Sequence, residues 1–123
     1  MAQAAVLTVN AFPYGVDNTQ SETIIYGLVT FTGSGGYTTG GVPLNFTAML
    51  NPDGSKFILP GSVAKPFLCY FTAQDTSLVA YQYNLAGNTL FAQSATAAGA
   101  AQLPAATTLS GVIAFEAHFA KNV

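Results

Sequence analysis

The sequence predicts an all-β fold: an antiparallel β-sandwich or jelly-roll-like barrel of about seven to nine strands. Three observations predict it. Short segments rich in β-branched and aromatic residues alternate in polarity with a period of two. Clusters of Gly, Pro and Asn punctuate them. No segment carries the stripe of an amphipathic helix that would cover a parallel sheet, which disfavours α/β architectures. The chain, residues 1–123, reads as one β domain of ordinary size, with an arm or long loop over 95–106.

The first strand is expected over Ala5–Phe12, where Leu7, Val9 and Ala11 alternate with Val6, Thr8 and Asn10. Pro13-Tyr14-Gly15 ends it, and the polar run Asp17–Glu22 reads as a loop. Thr23–Thr32 is the clearest strand, and Gly27 within it marks a bulge or a close approach of backbone. Gly33-Ser34-Gly35-Gly36 reads as a turn. The Gly40-Gly41 pair allows positive φ, and Pro43 sets Val42 extended and belongs at a sheet edge. This tight loop runs into a short apolar stretch, Leu44–Leu50.

Asn51-Pro52-Asp53-Gly54 is a strong turn. Phe57-Ile58-Leu59 reads as a short strand stopped by Pro60-Gly61. Lys65–Thr72 and Ser77–Asn84 read as strands joined in a hairpin by Ala73–Thr76. A turn at Asn84–Asn88 leads to a short strand, Thr89–Gln93. Alanine alone would permit a helix over Ala95–Ala106, but Gly99 and Pro104 interrupt it and no amphipathic stripe appears. The last strand, Thr108–Phe119, has the best alternation. Leu109, Gly111, Ile113, Phe115, Ala117 and Phe119 share one face, and Ser110, Val112, Ala114, Glu116 and His118 the other.

Charge is scarce. Charged residues make up 7% of the chain, against roughly 25% in ordinary soluble domains. The cations are Lys56, Lys65 and Lys121, with no arginine; the acids are Asp17, Glu22, Asp53, Asp75 and Glu116. Interface cores are depleted in charge, so this favours a surface that partner subunits cover. The alternative is a neutral, hydroxyl-rich surface facing water. A net charge of −2 and three scattered lysines argue against direct nucleic-acid binding and against an anionic membrane surface. No run approaches the length of a transmembrane helix. The N-terminal residues 1–7 do not read as a signal peptide. Without a secretory route, Asn45-Phe46-Thr47 is a chance match to the glycosylation sequon.

Catalytic chemistry finds little support. His118 is the one histidine; it shares a strand face with Glu116, and a hydrogen-bonded structural pair is favoured over a proton relay. Cys69 is the one cysteine, which excludes an intrachain disulfide and suits a small buried hydrophobe. One His and one Cys fall short of a zinc site. Asp17 and Glu22 read as solvated loop residues rather than cation ligands. Gly33–Gly36 lacks the Lys-Ser/Thr of a phosphate loop. The expectation is a protein that is not an enzyme, with no catalytic, metal or cofactor residues and no cofactor. Tyr14, Tyr37, Tyr81 and Tyr83 are the candidate interface anchors, since tyrosine pairs apolar area with a polar tip.

Tyr37-Thr38-Thr39-Gly40-Gly41-Val42-Pro43-Leu44 resembles a Tyr-x-Thr-Gly-Gly-hydrophobic stretch of small structural proteins encoded in phage genomes, and the last strand resembles theirs too. Such proteins are capsid decoration or cement proteins and other minor virion proteins. The resemblance implies a β-sandwich or jelly-roll-like subunit, a homo-oligomer and typically a trimer. It would be made in the host cytoplasm and sit on the outer capsid of the virion, clamping the major capsid protein. The rival readings are a receptor- or glycan-binding tail protein, a small coat or lattice subunit, and a cupin-like enzyme; the last normally gathers several histidines.

Overall fold

The computed structural model describes residues 3–11, 13–33, 36–37, 40–58, 65–73, 79–94, 101–102, 109 and 112–121. The described chain is all-β, in two antiparallel sheets. The strands are β1 (Ala4–Val9), β2 (Val16–Asn18), β3 (Glu22–Thr32), β4 (Val42–Pro43), β5 (Leu68–Ala73), β6 (Val79–Asn84), β7 (Thr89–Ser94), β8 (Ala101–Gln102) and β9 (Ile113–Ala120). One sheet has five strands in the order β1-β3-β9-β5, with β2 also paired to β3. The other has four, in the order β4-β7-β6, with β8 also paired to β7. β5 runs beside β6 and β1 beside β4, so the sheets approach each other along both edges. Among the described residues no helix is long and apolar enough to cross a membrane.

The period-two pattern builds the core. Ile113, Phe115, Ala117 and Phe119 of β9 all point inward, with Leu7 and Val9 of β1 and Ile25 and Val29 of β3. Val42, Leu90 and Ala92 meet them from the four-stranded sheet. Phe46, in a short 3-10 turn over Phe46–Ala48, closes one side. Its ring stands edge-on to Phe115 and Phe119, with centroids at 6.3 and 5.4 Å; such pairs add about 0.5–1.5 kcal/mol each beyond area burial. Gly27 is the close approach that its position in β3 suggests. A Cβ there would stand 2.2 Å from the Thr8 carbonyl oxygen and 2.7 Å from the Phe115 ring. Gly40 and Gly41 have φ of 96° and 115°. Pro43 lies on β4, an edge strand of its sheet.

Several expectations need correction. The run Asp17–Glu22 is not all loop: β2 pairs with the start of β3. Phe57 and Ile58 form no ladder; Lys56 makes an isolated bridge to Leu50, and Leu59 lies outside the described residues. β5 and β6 are not a described hairpin. β5 pairs with β9 and β6 with β7, so the two strands belong to different sheets, and residues 74–78 between them lie outside the described residues. The hairpin is β6–β7 instead. Within 95–106, Ala101–Gln102 form β8 and pair with Gln93–Ser94, because a free edge of β7 is there to receive them; the rest of that stretch lies outside the described residues.

Candidate functional site

Antiparallel pairing places directly opposed residues on one face of a sheet. Since Phe115, Ala117 and Phe119 face the core, the residues between them build the outer face of the five-stranded sheet. Three rows cross it: Ile24–His118–Leu68, Tyr26–Glu116–Tyr70 and Leu28–Ala114–Thr72. Leu28, Leu68 and Tyr70 are exposed, and so are Phe67 and Val112, which immediately precede β5 and β9. Among the described residues, none of the large exposed apolar side chains belongs to a strand of the four-stranded sheet. Those strands also carry no charged residue, whereas Asp17, Glu22 and Glu116 lie on strands of the five-stranded sheet. Within the strands, exposed large apolar residues and charge thus both fall on the five-stranded sheet, whereas exposed Leu85 directly follows β6 and exposed Ile58 lies outside both sheets.

His118 stands in the middle of this face. Its Nδ1 is 3.0 Å from Glu22 Oε1 and its Nε2 is 2.6 Å from Glu116 Oε2. A neutral imidazole has one N–H, so only the imidazolium donates to both carboxylates. Burial opposes that charge, but the hydrogen bonds that His118 donates to Glu116 and then Glu22 outweigh it and raise the His118 pKa above its ordinary value. The rings of Phe67 and Tyr70 stand edge-on to the imidazole, with centroids at 6.1 and 6.4 Å. The two carboxylates hold opposite ends of one ring, so they do not converge on a point where a metal would sit. Among the described residues no group of three His, Cys, Asp or Glu is arranged to hold a metal ion.

Cys69 lies on the other side of β5, opposite Ala117 and in the core. Burial, and then the Glu116 carboxylate, push its thiol up to about 12. It is a protonated core residue at neutral pH and is turned away from His118.

The four tyrosines scatter. Tyr37 is 2% exposed and sits in the core, where its hydroxyl accepts a hydrogen bond from Ala92 N–H at 3.2 Å. Tyr81 and Tyr83 lie on the inner side of β6, packed against the core. Tyr83 donates to Asn88 Oδ1 at 2.6 Å. Tyr37 thus offers no exposed ring to a partner, and Tyr81 and Tyr83 are half-buried, because the inward set of β6 is Val79, Tyr81 and Tyr83 and the outward set Ala80 and Gln82. Tyr14 alone is well exposed, at 75%.

Sequence reading found the Glu116–His118 pair but missed Glu22, 96 residues from His118. It also missed Tyr26 and Tyr70 as outward aromatics. Their alternation within β3 and β5 was readable; their alignment with Glu116 depends on register. No family model, curated protein or solved structure matches this chain.

Proposed function

We propose that this chain is a virion structural subunit of the capsid decoration or cement type, and that it binds the major capsid protein shell through the outer face of its five-stranded sheet. The observation that carries this reading is the concentration of exposed Leu28, Phe67, Leu68, Tyr70 and Val112 on that one side of a chain that is otherwise poor in charge. A row of exposed apolar and aromatic residues beside a few fixed charges has the composition of a protein interface.

Charge complementarity favours a different protein as the occupant over a second copy. The face carries Asp17, Glu22 and Glu116, while the chain has no arginine and three lysines. One of these, Lys121, donates to the Thr19 carbonyl at the edge of the same sheet. A homotrimer belongs to the same proposal and leaves this face turned to the shell. The reading is of a binding subunit and not of an enzyme.

A receptor- or glycan-binding role is the second reading. Exposed Tyr14 and Tyr70, with Tyr26 and carboxylates between them, favour it, since aromatic faces and hydrogen-bond acceptors also suit sugars. Imaging of shells mixed with the purified protein tests both. The proposal expects density on the outer capsid with the five-stranded sheet against shell subunits. A protein that stays monomeric and never associates with shells contradicts it, and saturable oligosaccharide binding without shell binding selects the second reading.

A further inference from the structure

The edge of the five-stranded sheet is interrupted beside Tyr26. The chain leaves the edge at Asn10, whose N–H donates to the Tyr26 carbonyl at 2.9 Å. It returns at Gly15, whose carbonyl accepts from Tyr26 N–H at 2.8 Å. Both backbone polar groups of one β3 residue are therefore spent on the two ends of a single excursion, and Ala11, Pro13 and Tyr14 lie outside the strands. Tyr14 N–H closes that excursion on the Ala11 carbonyl at 2.9 Å. A Cβ at Gly15 would stand 2.2 Å from the Asn10 carbonyl oxygen, so the neck of the excursion is as tight as backbone allows.

The result is a cleft of about 410 Å³ lined by Pro13, Tyr14, Val16, Asp17 and Tyr26. Its far wall, Tyr26, also borders a second cleft that runs over Leu28 and Glu116 to Tyr70. Among the described residues, the side chains of Tyr14, Asp17 and Tyr26 make no hydrogen bond or ion pair with the rest of the chain. The field there is negative. Burial first, then Glu116, Asp17 and Glu22, hold the Tyr26 phenol above its ordinary pKa.

We propose that this cleft receives an arginine side chain of the partner protein, stacked against the Tyr14 and Tyr26 rings and paired with the Asp17 carboxylate. The inference rests on the docking reading and names the group that anchors it. A guanidinium fits the three wall chemistries at once. It is planar and weakly hydrated, so it lies on aromatic faces, and its fork of donors matches a carboxylate. A second copy cannot supply it, because the chain contains no arginine.

The test is a titration of the isotope-labelled protein, followed by amide chemical shifts. One arm uses N-acetyl-arginine methylamide, one its neutral isostere N-acetyl-citrulline methylamide, and one a neutral trisaccharide. The expected result is saturable shifts confined to Tyr14, Val16, Asp17 and Tyr26 that are stronger with the arginine compound than with citrulline. Asp17→Asn should weaken arginine binding by about threefold, the scale of one exposed ion pair, and erase its advantage over citrulline. Tyr14→Ala should weaken both. Both positions are exposed, so the variants keep the fold; an unchanged amide spectrum elsewhere checks this.

Equal response to arginine and citrulline, no localised response, or a response to the trisaccharide alone overturns the proposal. Loss of shell binding with a retained arginine response overturns the docking reading and leaves the cleft as a site. Shell binding without an arginine response leaves the docking face and removes this anchor.

Discussion

Tyr37 and His118 show how one residue type takes a role from its strand position. Tyr37 was a natural interface candidate, yet it fills the core and spends its hydroxyl on the Ala92 amide. Tyr37→Phe should lower the unfolding free energy by about 1 kcal/mol, the net worth of a hydrogen bond. Tyr37→Ala should lower it by about 3–5 kcal/mol, as for a deleted core aromatic. Urea titration measures both, and a loss of partner binding without a loss of stability would contradict this placement. His118 carries the opposite lesson. Its pKa is raised in the folded state from an ordinary 6.5 by Glu116 and Glu22, against burial. The stabilisation is therefore fully present below the unfolded value and is lost as pH rises through the raised folded value. The urea midpoint should fall as pH is increased upward from neutrality, and His118→Gln should flatten that dependence. A midpoint that rises over the same window would contradict the pairing.

At the scale of elements, the β6–β7 hairpin turns on Asn88. This residue has a φ of 52°, accepts from Tyr83 and donates from Nδ2 to the Leu44 carbonyl at 3.2 Å. The turn thus ties the hairpin to the segment that follows β4. Asn88→Gly relieves the backbone but loses both bonds, so it should cost about 1–2 kcal/mol; Asn88→Ala should cost more because it adds left-handed strain. Equal stability of Asn88→Ala and the parent in urea would contradict this role.

What the sequence disclosed follows the same division. β3 and β9 were legible because each carries its own alternation over a long run. The turns at Asn51–Gly54 and Asn84–Asn88 were legible because their residues set the backbone locally. β2, β8 and the partner of β5 were not, because a short polar segment becomes a strand only when an unfilled edge lies beside it. Half of the site was hidden for the same reason. Glu116 and His118 sit two residues apart, but Glu22, Tyr26 and Tyr70 reach them through register between distant strands.

At the scale of the whole molecule, the scarcity of charge turns out to be uneven. The strands of the four-stranded sheet have none, and their outward residues include Ala80 and Gln82. The five-stranded sheet carries Asp17, Glu22, Glu116, the histidine and exposed Leu28, Leu68 and Tyr70. The proposed docking face follows from that asymmetry, so the most direct measurement compares the two outer faces. Leu28→Lys and Gln82→Lys place the same charge at exposed sites on opposite sheets. Binding of each variant to shells, read by co-sedimentation, is predicted to weaken at least tenfold for Leu28→Lys, the effect of about 1.4 kcal/mol, and to stay at the parental level for Gln82→Lys. Equal binding by both variants, or loss confined to Gln82→Lys, would contradict the account.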